Sequence, residues 1–206
     1  MNAWYTSLLL ILAACAAWGL VHSWLASRQA KRLARRLLGP LVDRSYRLVY
    51  NGFAILTFLP VMALAALLPD RPLYSIPPPW VFLTLAGQGL AVLALLIGLL
   101  QTGLADFIGL RQLFDSAPEQ PTPLVVKGLY RYVRHPLYTA GLVFIWLSPR
   151  MTVNLLALYA CLSLYLVIGA YFEERKLVYE YGQAYRSYQQ ATPMLIPRLS
   201  SRNFKV

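Results

Sequence analysis

Three apolar windows, each long enough to cross a lipid bilayer, constrain the fold of this chain most strongly. They cover approximately Trp4–Trp24, Leu48–Leu68 and Trp80–Gly103. A membrane-spanning helix needs about 20 such residues. A further apolar region, Pro136–Phe172, is interrupted at Pro149 and Arg150. Because proline ends a helix and arginine is unfavourable in hydrocarbon, this region is predicted to form a hairpin of two helices. The expected fold is therefore all-α and polytopic, with about five transmembrane helices.

The composition and the distribution of charge agree with this fold and predict its orientation. Hydrophobic residues make up 58% of the 206 residues, above the roughly 45–50% of soluble domains. Basic residues follow the first window closely, and basic loops stay in the cytoplasm, which predicts an N-terminus outside. Alternating sides then leaves all but two of the 19 Lys and Arg residues inside, the exceptions being Arg71 and Arg150. Because no stretch has the composition of a linker, residues 1–206 are expected to form one domain.

The net charge of +11 is explained by this topology and by attraction to anionic lipid. The bilayer is therefore the expected partner, and nucleic acid is not, because a nucleic-acid-binding protein would carry a soluble basic module. Cys15 and Cys161 both lie inside predicted spans, which leaves neither a disulfide framework nor a metal-ligand spacing. No metal is expected, and the sequence does not indicate an oligomeric state.

Polar residues gather at the two ends of the predicted hairpin, which folding would bring together. They are Gln112, Tyr130, Arg134, His135 and Tyr138 on one side, and Glu173 and Glu174 on the other. His135 precedes proline, so its backbone should not be helical, and Pro136 should be the first residue of the next helix.

These two polar groups predict a site for a ligand that carries both charges. A helix N-terminus attracts a carboxylate, and a glutamate at the edge of the hydrocarbon can hold an ammonium group. Two structural alternatives stay open. Arg134 could reach lipid phosphates while His135 caps the helix, and Arg175 and Lys176 could neutralise the glutamates.

The sequences "GLYRYVRHPLY" and "EERKLVYEYGQAYRSYQQATPMLIP" resemble the C-terminal signature of the isoprenylcysteine carboxyl methyltransferase family. Those membrane enzymes use S-adenosylmethionine and are similar to phospholipid N-methyltransferases. The resemblance covers about residues 106–197, which it implies to be the cofactor-binding half. Further upstream, "VHSWLASRQAKRLARRLLGPLVDRSYRL" and "DFIGLRQLF" look like the bacterial methanethiol S-methyltransferase branch of this family.

The resemblance implies roles for individual residues. Cofactor-binding residues would be Leu124, Val125, Tyr130, His135, Pro136, Leu137, Tyr138 and Glu173. Arg134 and Glu174 are candidates for proton removal or substrate orientation, and Gln112 and His22 are candidates for substrate binding. Isoprenylcysteine enzymes tend to carry an arginine one turn before the glutamate pair, where this chain has Gly169. This difference disfavours a prenylated-cysteine carboxylate as the acceptor.

Beyond the glutamates, Val178, Tyr181, Tyr185 and Tyr188 recur at helical spacing. They predict an amphipathic helix that lies at the cytoplasmic membrane surface and closes the pocket. A row of aromatic residues that stacks on the substrate is the alternative.

Together with the topology, the resemblance implies a methyltransferase of the bacterial inner membrane whose active site faces the cytoplasm. It would use S-adenosylmethionine to methylate a small apolar thiol or a lipid-like acceptor. The alternatives are an isoprenylcysteine carboxyl or phospholipid N-methyltransferase, and a non-catalytic membrane scaffold or transporter. A transporter should carry ionisable residues near mid-bilayer, but the notable polar residues there are the uncharged Asn51 and Gln88.

Overall fold

The computed structural model describes residues 3–110, 113 and 124–197. Over these residues the chain is helical apart from short loops, one 3₁₀ turn and a pair of short strands. The helices are α1 (Ala3–Leu25), α2 (Arg28–Leu38), α3 (Val42–Leu67), α4 (Trp80–Thr102), α5 (Leu104–Ile108), α6 (Pro136–Trp146), α7 (Val153–Tyr181) and α8 (Gln183–Ala191). The 3₁₀ turn is Gly128–Arg131, and the strands are β1 (Pro72–Ser75) and β2 (Arg150–Thr152).

Four of the described helices, α1, α3, α4 and α7, are long and apolar enough to cross a membrane. The all-α polytopic fold is therefore confirmed, and the protein is an integral membrane protein. The fourth predicted span along the chain is shorter than the others. Helix α6 is apolar and has 11 residues, or about 17 Å at 1.5 Å per residue, against a hydrocarbon core about 30 Å thick. The predicted interruption near Pro149 is confirmed, because α6 ends at Trp146 and α7 begins at Val153.

The described residues divide into two compact units, and the first comprises residues 3–75, 104–110, 113 and 150–162. In it α1 and α2 pack against α3. Ile11, Val61, Ala65 and Leu158 are buried together and form the centre of its apolar core. Asn51 joins α3 to α5, since its Nδ2 donates to the Ile108 carbonyl at 3.0 Å.

Strands β1 and β2 form an antiparallel pair within this first unit. The pairing brings the loop after α3 together with the loop before α7. This agrees with the predicted alternation of spans, which places both loops on the same side of the membrane. Asn154 is fully buried next to this pair. Its backbone N–H donates to Asp70 Oδ1 at 3.0 Å, and its Nδ2 donates to the Leu68 carbonyl at 3.3 Å. The side-chain bond satisfies a carbonyl group at the end of α3 that has no partner within the helix.

The second unit comprises the described residues 76–103, 124–149 and 163–197. In it α4 and α6 lie side by side. Gly98 permits this close approach, because a Cβ there would lie 2.8 Å from the Leu137 side chain. Gln88 links the same helices by donating from Nε2 to the Phe144 carbonyl at 2.9 Å. All the polar residues of the predicted hairpin ends that the structure describes belong to this unit.

Candidate functional site

The Arg-His-Pro segment forms the corner from which α6 begins. His135 has a non-helical backbone (φ −120°, ψ 67°), and Pro136 is the first helical residue. The proline ring disfavours a helical residue before it and needs no N–H partner in the first turn. Both predictions for this corner are confirmed. Because the first N–H groups of an α-helix have no partner within the helix, such a helix start can receive an anionic group.

Arg134 and Glu174 form an ion pair whose side chains are only 10% and 11% exposed. Arg134 Nε donates to Glu174 Oε1 at 2.5 Å. The guanidinium also donates to the carbonyl groups of Gln189, at 3.0 Å, and Thr192. Glu174 Oε2 accepts from the Gln189 side chain at 2.8 Å. Both carboxylate oxygens of Glu174 therefore already accept hydrogen bonds, and the arginine joins α7 to the C-terminal segment.

His135 lies between the two glutamates and is 6% exposed. Its Nε2 is 3.3 Å from Glu174 Oε1, and its Nδ1 is 3.6 Å from Glu173 Oε2. The ring also stacks on Tyr138, with ring centroids 5.3 Å apart. Because a carboxylate accepts hydrogen bonds and does not donate them, the imidazole must donate to the glutamate it contacts. The histidine thus hydrogen-bonds Glu174 and lies beside Glu173 at the start of α6.

Glu173 has a different environment from its neighbour. Its side chain is 46% exposed, and its Oε2 accepts from the Tyr138 hydroxyl at 2.8 Å. Among the described residues, no group donates a hydrogen bond to Glu173 Oε1. A carboxylate with two oxygens offers about four acceptor positions, so Glu173 keeps the capacity to bind a further donor.

Tyr130 places a second hydroxyl next to Glu173. Burial, together with the nearby Glu173 charge, raises the pKa of Tyr130 to about 12, and a hydrogen bond with Thr102 opposes part of the shift. The phenol is therefore neutral at physiological pH and can act as a donor. The Tyr188 hydroxyl donates to the Tyr130 carbonyl, which ties the 3₁₀ turn to α8.

A C-terminal strap, residues 192–197, runs along the corner and was not assigned a role from the sequence. The backbone N–H of Arg134 donates to the Pro193 carbonyl at 2.9 Å, and the backbone N–H of His135 donates to the Met194 carbonyl at 3.1 Å. The Thr139 hydroxyl donates to the Leu195 carbonyl at 2.7 Å. Strap and α6 also line an apolar groove of about 690 Å³. The only indication in the sequence was that "TPMLIP" belonged to the quoted resemblance.

The tyrosine stripe is divided between two helices. Helix α7 continues to Tyr181, and Gly182 (φ 57°) separates it from α8. In α8, Tyr185 and Tyr188 are 1% and 2% exposed, and burial raises the pKa of both phenols. These two side chains therefore pack inside the protein as neutral groups, and a single continuous helix carrying all four stripe residues is not observed.

Four further residues were predicted to bind the cofactor or the substrate, and their positions do not test those roles. His22 belongs to the first unit, where its Nε2 is 2.6 Å from the Tyr50 hydroxyl and its ring stacks on Trp18. Leu124 and Val125 are half-buried in the irregular segment before the 3₁₀ turn. Gln112 lies outside the described residues. The ligand-binding roles of these four residues stay predictions.

The geometry defines the class of protein. It is an integral membrane protein in which polar residues of one compact unit gather around the corner formed by Arg134, His135 and Pro136. Comparison with known proteins places the chain in a family. Residues 7–192 match the family model described as "Protein of unknown function (DUF1295)". Because this match covers most of the chain, the protein belongs to that family. No solved structure matches the chain.

Two curated relatives share a name. The chain is 31% identical to the "Methanethiol S-methyltransferase" of Crocosphaera subtropica, over 96% of this chain and 78% of the relative. It is 33% identical to a protein of the same name from a Pseudomonas species, over 86% of this chain and 68% of the relative. A more distant relative is the "Nurim homolog" of Drosophila pseudoobscura pseudoobscura, 26% identical over 79% of this chain and 66% of the relative.

Proposed function

We propose that this protein is an S-adenosylmethionine-dependent methyltransferase of the membrane that methylates a small apolar thiol. The observation that carries the proposal is that the two adjacent glutamates differ in exposure and in their hydrogen-bond partners. Glu174 is held by Arg134 and Gln189, whereas Glu173 is half exposed beside the start of α6 with one oxygen available. The names of the two similar relatives support the type of reaction.

The chemistry of the site suits the amino-acid end of this cofactor, which carries an ammonium group and a carboxylate. We propose that Glu173 receives the ammonium group, because a carboxylate is the acceptor that such a donor prefers. The start of α6, with its N–H groups and positive dipole end, would receive the carboxylate. Tyr130 and Tyr138 would add hydroxyl groups next to Glu173. Leu124 and Val125 are proposed for the adenine end.

S-adenosylmethionine supplies an activated methyl group to a nucleophile. The residues of this chain would act by positioning the reactants and excluding water. The buried Tyr185 and Tyr188 and the strap close one side of the corner. Arg134 and Glu174 were predicted as candidates for proton removal or orientation. Because they hold each other and the strap, we propose that they position the corner.

If Arg134 and Glu174 only position the corner, the methyl acceptor must lose its proton without their help. The cysteine thiol has a reference pKa of about 8.5, so a few per cent of it is thiolate at neutral pH, and a simple alkanethiol is a weaker acid with a smaller thiolate fraction. We propose that this fraction reacts. Gly169, one turn before Glu173, supports a thiol over a carboxylate acceptor. A Cβ at Gly169 would meet nothing within 4 Å, so the space for an arginine exists, but the positive charge that would recognise a carboxylate is missing.

We expect the purified protein to methylate methanethiol faster than a prenylated cysteine. The rate at saturating cofactor should rise about tenfold per pH unit below the thiol pKa, because only the thiolate is the nucleophile. Product identification by mass spectrometry at several pH values measures both expectations. A carboxylate acceptor, ionised above about pH 5, would show no such rise.

A methyl ester recovered from the prenylated cysteine, with thiols inert, would contradict the thiol assignment. A methylated aminophospholipid would contradict it as well, since a lipid amine also gains reactivity as pH rises. Either product would still identify a methyltransferase, so the choice of acceptor is tested separately from the type of reaction.

We further propose that the protein lies in the bacterial inner membrane with its N-terminus outside and the corner facing the cytoplasm. The basic residues between α1 and α3 support this orientation. In intact cells, a cysteine introduced at Ser75 should react with an impermeant maleimide, while one introduced at Ser187 should react only after lysis. The parent for both should be the Cys15→Ala/Cys161→Ala protein. The reverse labelling pattern would contradict the orientation.

A further inference from the structure

A second concavity, of about 300 Å³, lies next to the Arg134–Glu174 pair and is not part of the proposed cofactor site. It is lined by Tyr171, Glu174, Arg175, Val178, Arg186 and Gln189. Helix α7 provides one wall and α8 the other, so the bend at Gly182 creates the concavity by turning α8 back towards α7.

The electrostatic field of this concavity is positive. Arg175 and Arg186 are both exposed, and among the described residues neither guanidinium forms an ion pair. The one acidic group in the lining, Glu174, is already neutralised by Arg134. Gln189 also directs its amide N–H to Glu174. Two arginines with unused donors therefore face a space in which no described acidic group balances them.

The surroundings place the concavity at the edge of the hydrocarbon. Tyr171, which lines the concavity, and the adjacent Phe172 are 58% and 54% exposed, and Tyr179 further along α7 is 80% exposed. Exposed aromatic residues are typical of the membrane–water interface, and arginine extends its charged group from there towards lipid phosphates. A soluble anion would gain nothing from these apolar rings, whereas a lipid would contact them with its glycerol and acyl groups.

We propose that this concavity binds the phosphate group of an anionic phospholipid through Arg175 and Arg186. Arginine suits the role because its planar guanidinium can donate two parallel hydrogen bonds to a phosphate. The bound lipid would support the wall formed by Glu174 and Gln189 from the side opposite the corner. This inference concerns lipid binding and does not depend on the proposed methyltransferase activity.

Native mass spectrometry of the purified full chain, with phosphatidylglycerol or phosphatidylcholine added to the detergent, measures this binding directly. We expect the wild type to retain phosphatidylglycerol in preference to phosphatidylcholine. Arg175→Gln/Arg186→Gln should reduce its binding by at least about tenfold, because each arginine contributes charge-assisted hydrogen bonds. The matched control is Lys176→Gln/Lys127→Gln, which removes the same charge from exposed residues outside the lining. The control should retain the lipid.

Equal loss of lipid in the two double variants would show only general attraction to anionic membranes and would overturn the proposal. Unchanged binding in the arginine variant would overturn it too. Displacement of the lipid by glycerol 3-phosphate at a similar concentration would indicate a site for soluble phosphate and contradict the lipid assignment. If the double variant fails size-exclusion chromatography, the single variants Arg175→Gln and Arg186→Gln should each show partial loss, and wild-type binding in both would also overturn the proposal.

Discussion

Glu173→Gln should lower the affinity for S-adenosylmethionine by about 10- to 100-fold, the equivalent of one charge-assisted hydrogen bond of about 1.5–3 kcal/mol. The substitution keeps the shape of the side chain and its contact with Tyr138 but removes the negative charge that would hold an ammonium group. Because Glu173 is half exposed, the protein should remain folded. Isothermal titration calorimetry in detergent measures the affinity.

Glu180→Gln is the matched control, since Glu180 is an exposed glutamate on the same helix, and it should bind the cofactor as the wild type does. His135→Ala should also weaken binding, because the imidazole hydrogen-bonds Glu174 and lies beside Glu173 at the start of α6. Wild-type affinity in both Glu173→Gln and His135→Ala would show that the cofactor does not bind at this corner.

Arg134→Ala should destabilise the protein by about 3–5 kcal/mol, the usual cost of removing one partner of a buried ion pair. Glu174 would stay buried without its arginine, and the carbonyl groups of Gln189 and Thr192 would lose their donor. The expected results are a lower thermal unfolding temperature in detergent and faster proteolysis of the strap. Thermal scans and limited proteolysis with C-terminal mapping measure these changes.

The chain contains its own control for this experiment. Arg35 and Asp43 form an ion pair at 3.2 Å whose side chains are 63% and 37% exposed, and exposed pairs contribute about 0–1 kcal/mol. Arg35→Ala should therefore change stability little. Arg134→Met/Glu174→Met should be less destabilising than Arg134→Ala, because it leaves no unpaired buried charge. Similar effects of Arg134→Ala and Arg35→Ala would contradict the positioning role.

The local features of the fold could be predicted from the sequence because each depends on neighbouring residues. The apolar windows predict both ends of α1 and α4 and the end of α3 within one residue, since helix length in a membrane is set by hydrocarbon thickness. The start of α3 was predicted wrongly, because the helix begins at Val42, six residues before its apolar window. The start of α6 at Pro136 follows from the steric properties of proline. The short strands were not predicted, because β1 has only four residues and begins with proline.

The site could be predicted only in part, because its details depend on contacts between distant residues. The sequence grouped Glu173 with Glu174, but adjacent helical residues point about 100° apart, and only the position of Arg134 shows which one is buried. The strap is held by hydrogen bonds to its own backbone carbonyl groups. Because every residue has such a group, the amino-acid composition could not predict the position of the strap. The tyrosine stripe continues in phase through Gly182, where a positive φ ends the helix.

The measurement that tests the central claim most directly is the transfer of label from methyl-tritiated S-adenosylmethionine to methanethiol by the purified wild-type protein and its Glu173→Gln variant. We predict labelled dimethyl sulfide with the wild type, and at least about tenfold less product from the variant at a cofactor concentration below the wild-type Kd, in line with the affinity loss above. No labelled product from methanethiol, prenylated cysteine or aminophospholipid, together with no cofactor binding, would contradict the proposed function.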